Sequence, residues 1–202
     1  MTELAYSAPA ERNKQPILDA LRTFLPSEGI ALEIACGTGQ HVTWFAANLP
    51  EWTWEPTDLK ADLFPDIMVR LSEAKLGNVL PPQLLNVLCD SWHTEHEKHD
   101  LIYCANMLHI TPWECCEGLM RGAARHLARG GALVTYGPFF EDNVPTADSN
   151  LQFHAALRGE NFDWGLRRRE DVEQVARAAG LRLAARYAMP AHNLLLVWRR
   201  AN

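Results

Sequence analysis

In the segment Glu33-Ile34-Ala35-Cys36-Gly37-Thr38-Gly39, a short apolar run gives way to a glycine turn. The run itself, Ile30-Ala31-Leu32-Glu33-Ile34-Ala35, has the length and composition of a buried strand. Beyond the turn, Val42, Phe45, Ala46 and Leu49 recur at helical spacing. Strand, glycine turn and helix in that order gather backbone N–H groups and a helix N-terminus around an open crevice. Glycine serves there because a Cβ would hold a ligand off the backbone, and because the turn can require positive φ. Glu33, an acid inside the strand, suits a ligand that carries an ammonium group better than one that carries a pyrophosphate. That points to S-adenosylmethionine rather than a dinucleotide.

Downstream, Pro50 ends the helix and Trp52-Thr53-Trp54-Glu55 reads as a second strand, stopped at Pro56. Asp58 stands nineteen positions after Gly39. An acid about 20 residues beyond the glycine turn is the ribose-binding position of nucleotide folds, with Leu59 beside it. Glu55 is the alternative carboxylate, but it falls before the strand's expected end. Ile67, Leu71 and Ala74 continue a helix that stops at Gly77-Asn78. Leu84 to Cys89 reads as a third strand, with Asp90 and Ser91 just past its end. A carboxylate there can accept from the exocyclic amine of an adenine, although a cap or turn role explains Asp90 equally well.

His93, His96 and His99 recur every third residue. The segment has no apolar periodicity and interleaves charges, so a solvated loop is expected there and no metal site. Asp100 to Asn106 forms a fourth strand, which places Asn106-Met107-Leu108-His109 at the crevice face. Trp113, Cys116, Met120, Ala123 and Leu127 make a core-facing helix closed by Gly130-Gly131. A fifth strand, Ala132 to Tyr136, runs into Gly137-Pro138-Phe139-Phe140.

Residues 141–170 are the least regular part of the chain and read as an aromatic-rich cover over the crevice. Arg167-Arg168-Arg169 is taken as the solvated start of the next helix, which carries Val172, Val175, Ala176 and Ala179 and ends at Gly180. Leu181 to Met189 and Asn193 to Trp198 then pair as a closing hairpin. Upstream, residues 1–9 look loose, and a helix is expected to begin near Pro16, after a polar Glu11-Arg12-Asn13-Lys14 cluster that can fold over the crevice. The expectation is one α/β domain over 1–202, a Rossmann-like doubly wound seven-stranded sheet, mostly parallel with an antiparallel C-terminal edge hairpin. Residues 1–26 form its N-terminal cover and residues 138–170 its substrate-covering insertion.

The 202 residues are 48% hydrophobic, ordinary for one globular core, and carry a formal net charge of −6. An acidic balance argues against broad binding to nucleic acid. No stretch approaches the roughly 18 uninterrupted apolar residues of a membrane helix. Met1-Thr2-Glu3-Leu4-Ala5-Tyr6 lacks the features of a signal peptide, so a cytoplasmic protein is expected. The five cysteines form no CxxC pair and read as small buried hydrophobes.

Taken together, these residues resemble a class I S-adenosylmethionine-dependent methyltransferase, and within that class the methyltransferase-like protein 26 family. The blocks that carry the resemblance are Ala10-Glu11-Arg12-Asn13-Lys14, Glu33 to His41, Asn106 to Pro112, Tyr136-Gly137-Pro138, Ser149-Asn150, Trp164 to Arg167 and Met189 to Asn193. The resemblance implies cofactor contacts at Glu33, Ala35, Gly37, Gly39, Asp58, Asp90, Asn106 and Met107, to which Arg12, Leu59 and Ser91 are added as neighbours. Two departures stand out: the first glycine of the class motif is Ala35 here, and the family's paired asparagines read His192-Asn193.

Methyl transfer is a displacement at an activated carbon, so the protein mainly aligns donor and acceptor. His109 is the first candidate for a general base, with Tyr136 next and His154 and His192 as alternatives. Asn13, His109, Phe139, Asn150, Phe153, Trp164 and Asn193 are candidate walls for a small-molecule methyl acceptor. A nicotinamide-dependent reductase is disfavoured, because Val42 takes the third glycine's place. A cofactor-binding protein of this fold without catalytic activity is the other reading.

Overall fold

The computed structural model describes residues 4–201; the ends of the expected 1–202 domain, residues 1–3 and 202, lie outside the described residues. The first strand, β1 (Gly29–Ile34), leads through the glycine turn into α2 (Gln40–Asn48), with α1 (Ala8–Arg22) ahead of it. Then follow β2 (Trp52–Asp58), α3 (Phe64–Glu73), β3 (Gln83–Leu84), β4 (His99–Ala105), α4 (Trp113–His126) and β5 (Leu127–Phe140). The chain continues through α5 (Asp148–Glu160), β6 (Arg167–Arg168), α6 (Arg169–Ala178), β7 (Leu181–Met189) and β8 (Asn193–Arg200).

The sheet order is β3-β2-β1-β4-β5-β8-β7, with short β6 paired off this path to the end of β5. The first five strands of that order run parallel, and β8 is antiparallel to both neighbours. This is the expected doubly wound sheet with its antiparallel edge. The order reverses between β1 and β4, so the crevice opens beyond their C-terminal ends.

Alternate residues of the central strands face two separate cores, as a parallel sheet covered on both sides requires. Ala31, Trp54, Tyr103 and Val134 pack under Ile17, Leu18 and Leu21 of α1 and Phe45 of α2. Leu32, Ile102, Leu133 and Trp198 pack under Leu119 and Met120 of α4 and Val172 and Ala176 of α6. Trp54 and Trp198 are fully buried. Truncating either to alanine is expected to cost about 3–5 kcal/mol.

Several boundaries differ from the sequence reading, and the first is Pro56, which does not stop β2: the strand runs through it to Asp58, with Pro56 paired in register to Glu33. Helix α1 starts at Ala8, not near Pro16, because Ser7 caps it by accepting from the Ala10 N–H at 3.3 Å. Pro16 therefore sits inside a helix whose Ile17, Leu18 and Leu21 are wholly buried, and that packing tolerates the lost backbone bond. The third strand is only two residues long: Leu85 donates its N–H to the Asp58 carbonyl, and the apolar run beyond it turns away from the sheet. Helix α4 ends at His126, since Leu127 is already extended and paired with His99, which leaves Gly130-Gly131 inside β5. The stretch from 141 to 170 is not irregular, for it holds the thirteen-residue α5. Among the described residues no helix is long and apolar enough to cross a membrane.

Candidate functional site

A cavity of about 450 Å³ opens at the C-terminal ends of β1, β2 and β4. That size is within the range of small-molecule sites. Ala35, Gly37, Asp58, Leu59, Asn106 and Met107 all lie on its wall, brought together from three strand ends as the sequence reading expects. Gly39 closes the turn as the N-cap of α2 at φ +73°, packed so tightly on Ile67 that a Cβ would collide with it. Gly37 also has positive φ, +53°, but nothing lies within 4 Å of where its Cβ would be. That leaves an open cradle above the turn. Ala35, where a glycine is usual, adopts φ +57°. An L-residue there costs roughly 1–2 kcal/mol.

Asp58 is tied to this turn. Its Oδ2 accepts the Gly37 N–H at 2.9 Å, and its Oδ1 accepts the Lys60 N–H at 3.3 Å. Glu33 lies one residue before the wall residues Ile34 and Ala35 and is 2% exposed. The Val42 N–H faces its carboxyl group, and Oε2 has no partner. Burial and the nearby Asp58 charge push its pKa well above the usual carboxylate range. A buried acid with an unpaired oxygen and no neighbouring cation suits a ligand ammonium group. The glycine cradle, Asp58 and Glu33 thus fit S-adenosylmethionine.

The N-terminal segment roofs the cavity, with Ser7 and Ala10 on its wall. Ala5 donates to Asp66 Oδ2 at 2.7 Å and its carbonyl accepts from Arg70, which also donates to the Thr38 carbonyl at 3.1 Å. Ser7 donates its N–H to Gln40 Oε1 at 2.6 Å, and Gln40 donates to Glu11 at 3.0 Å. Sequence reasoning missed Ser7, Thr38 and His41 as wall residues. The polar Gln40-His41 pair just past the glycine turn, where an apolar helix start would be usual, was the available signal.

Other expected positions lie elsewhere. Asp90 and Ser91 are exposed and off the wall; Leu85, Asn86 and Val87 take that place, because the strand ends at Leu84. Arg12 is exposed and off the wall. His109 is buried beside the cavity, not on it, edge-on to Phe153 at 5.5 Å and close to Gly137. Burial and the Arg167 charge push its pKa down to about 4, which makes it a weak base. Tyr136 is also buried, within reach of the Asn13 and Asn193 side chains. Burial raises its pKa; those two amides and the Arg12 charge oppose the rise without cancelling it.

Phe139, Asn150 and Asn193 meet at a second, smaller cavity of about 180 Å³. Asn150, though in an exposed-looking sequence context, is buried and donates to the His192 carbonyl at 3.1 Å. Trp164 is half-buried, and the next residue, Gly165, donates to the His109 carbonyl at 2.9 Å. The arginine cluster is solvated only in part: Arg168 is exposed and Arg169 opens α6 as expected, but Arg167 is drawn inward. Arg167 donates to the carbonyls of Leu108, Thr111 and Asp163, so it pins the loop after β4.

The histidine triplet also differs from the solvated loop expected. His99 is fully buried at the start of β4, and His96 bonds to the buried Glu55. Glu55 further accepts the N–H groups of Glu95 and His96 at 3.1 and 3.2 Å, and His99 Nε2 stands 3.5 Å from its other oxygen. The carboxylate thus latches the 91–98 loop onto β2 and is not part of the larger cavity's wall. Among the described residues no group of three or more metal-binding side chains converges.

The chain belongs to the family described as Protein of unknown function (DUF938), which it matches over residues 4–200. Solved structures share its fold. An O-methyltransferase family protein from Burkholderia thailandensis aligns at a TM-score of 0.78 and 20% identity, over 96% of this chain and 57% of that one. Human N-acetylserotonin methyltransferase, solved in complex with S-adenosylmethionine, gives 0.75 and 13%, over 96% and 53%. An O-methyltransferase family 2 protein from Planctomyces limnophilus, in complex with apigenin, gives 0.70 and 16%, over 93% and 62%. The chain spans little more than half the length of these structures. At such identities the likeness shows the fold, which is that of the S-adenosylmethionine-dependent methyltransferases.

Proposed function

We propose that the chain is an S-adenosylmethionine-dependent methyltransferase acting on a small molecule. The observation that carries this is the buried Glu33 carboxyl, whose Oε2 has no partner, beside a glycine cradle whose rim bears Asp58. In this reading Glu33 receives the ammonium group, and the backbone from Ala35 to Gly39 takes the amino-acid portion. Asp58 accepts from the ribose hydroxyls, with Leu59 against the sugar. Leu85, Asn86 and Val87 flank the adenine, and Asn106 and Met107 close the far wall. The cofactor, when bound, supplies a methyl group on a sulfonium that leaves readily.

The acceptor side is assigned to Asn13, His109, Phe139, Asn150, Phe153, Trp164 and Asn193, under a cover made by residues 1–26 and 138–170. The neighbours' small-molecule O-methylation and the two modest cavities both support a small acceptor over a nucleic acid or a membrane surface. A cytoplasmic setting and kinship with the methyltransferase-like protein 26 family complete the proposal. A second reading, cofactor binding without catalysis, is favoured by one observation: neither His109 nor Tyr136 reaches the wall of the larger cavity. Isothermal titration with S-adenosylmethionine, followed by turnover assays over phenols, thiols, amines and carboxylates, separates the two. Absence of cofactor binding overturns both.

A further inference from the structure

Thr38, on the wall of the larger cavity, is held from two directions, and both of its partners also grip the N-terminal roof. Its hydroxyl donates to Gln40 Oε1 at 3.0 Å, and its carbonyl accepts from Arg70 Nε at 3.1 Å. Gln40 Oε1 also accepts the Ser7 N–H at 2.6 Å, while Arg70 Nη2 donates to the Ala5 carbonyl. Two side chains, one from α2 and one from α3, thus clip a single residue of the glycine turn to Ser7 and Ala5. Asp66, one turn before Arg70 on α3, adds a bond by accepting the Ala5 N–H at 2.7 Å.

The orientation of the Gln40 amide is fixed by the chemistry of its partners. The Ser7 backbone N–H can only donate, so the atom facing it is the amide oxygen. At the other end Nε2 donates to Glu11 Oε2 at 3.0 Å. The bond from the Lys14 ammonium holds the Glu11 carboxyl below the usual glutamate range, so it is ionised and can only accept. A flipped amide would set N–H against N–H at one end and oxygen against oxygen at the other. Gln40 is 6% exposed, where an unmet polar atom is costly. Ser7 is equally committed: beyond its N–H, its Oγ caps α1 by accepting from Ala10, and its carbonyl accepts the Glu11 N–H at 3.0 Å.

Apolar packing does not hold this stretch. None of the described residues 5–9 is buried, and Tyr6 is 62% exposed. Farther along, α1 is seated independently by Ile17, Leu18 and Leu21, which are wholly buried. The roof is therefore a short segment ahead of a firmly packed helix, kept down on the cavity by polar bonds. We infer that Gln40 and Arg70 are positioning residues: they hold residues 5–7 against the glycine turn and so slow the departure of a ligand from the larger cavity. That this ligand is S-adenosylmethionine rests on the methyltransferase reading; the two clips do not.

The test measures two things on the full chain: amide hydrogen exchange by NMR, and the release of bound radiolabelled S-adenosylmethionine into an unlabelled chase. Gln40→Met keeps the length of the side chain and none of its polar atoms. In that variant exchange at the Ser7 N–H should quicken roughly two- to tenfold, the worth of one ordinary hydrogen bond. Arg70→Met should quicken it too, because it frees Ala5 and one side of Thr38. The Trp54 N–H, bonded to the Asn78 carbonyl, should not change, which separates a loosened roof from a weakened fold. Cofactor release should accelerate by a similar factor in both variants, with association nearly unaltered. Should Gln40→Met not fold, Arg70→Met and Thr38→Val, which deletes one bond of the same knot, carry the test. Unchanged exchange at Ser7 overturns the inference, as does faster exchange with unchanged release. If S-adenosylmethionine does not bind the wild type, the methyltransferase reading falls and exchange at Ser7 alone decides the two clips.

Discussion

The Oδ2 of Asp58 accepts the backbone N–H of Gly37 at 2.9 Å, so one carboxylate both shapes the glycine turn and faces the cavity it borders. Hydrogen bonds to a charged group contribute about 1.5–3 kcal/mol each. Asp58→Ala loses the clamp on the turn and, with it, the sugar contact proposed for this carboxylate. Its affinity for S-adenosylmethionine should fall by roughly tenfold to a few hundredfold, since about 1.4 kcal/mol is a factor of ten. Asp58→Asn, which keeps one carbonyl oxygen, should lose less. Calorimetric titration decides this, and undiminished binding by Asp58→Ala would remove Asp58 from the site.

Glu33 should make cofactor binding release protons. Burial first, and Asp58 second, raise its pKa, so the ligand-free protein holds the proton that an ammonium group would displace. Apparent affinity then rises with pH until the free Glu33 ionises by itself. The sign for folding is opposite: the native state binds this proton more tightly than the unfolded chain, so stability falls as pH rises above the ordinary glutamate range. Glu33→Gln should therefore stabilise the ligand-free protein near neutral pH, weaken cofactor binding and abolish the proton release. Calorimetry in buffers of different ionisation enthalpy reads the release directly; an equal heat in all of them for the wild type contradicts the assignment.

Ala35→Gly should relieve the left-handed strain at φ +57°. The gain is at most about 1 kcal/mol, because glycine also gives the unfolded chain more freedom. Urea denaturation measures it. A loss of stability would mean that the Ala35 methyl group packs to better effect than its backbone suffers.

The Glu55 latch should respond to acid. Burial alone would raise its pKa, but the His99 imidazole beside it and the bond with His96 overcome that and leave it below the ordinary value. A depressed carboxylate stabilises the fold above its unfolded-state pKa, and that stabilisation disappears as pH falls through the lower, folded-state pKa. Glu55→Gln should flatten the acid limb of the stability curve and loosen the 91–98 loop. Hydrogen exchange at Glu95 and His96, whose N–H groups donate to Glu55, monitors the loosening. Unchanged protection would show that the loop is held by other contacts.

The route from sequence to site was clearest where local chemistry and tertiary need coincide. The strand, glycine turn and helix around Gly37 were legible because positive φ and a buried run leave few alternatives. Asp58 was legible by its spacing. Helix α5 was not, since only Asn150 and Leu157 of its thirteen residues are buried and no apolar stripe marks it. The run Leu84 to Cys89 misled in the opposite way: Leu85 and Val87 are apolar because they pack into the core beside the cavity, not because they lie in the sheet. His99 read as a loop residue because its partner, Glu55, lies on another strand. The Pro16 boundary failed because a proline's local cost was weighed without the burial of the residues beside it.

The placement of β8 bears on how the chain is made. Its eight residues lie between β5 and β7, so β7 leaves the ribosome with no neighbour to receive it. Until Asn193 to Arg200 have emerged, the edge of β5 stays open and the indole of Trp198 is missing from its core. Assembly of that half of the sheet must therefore wait until β8 has emerged, whereas the half built on β1 to β4 can close earlier. Nascent chains arrested before residue 193 should already protect the glycine turn from protease while β7 remains cleavable.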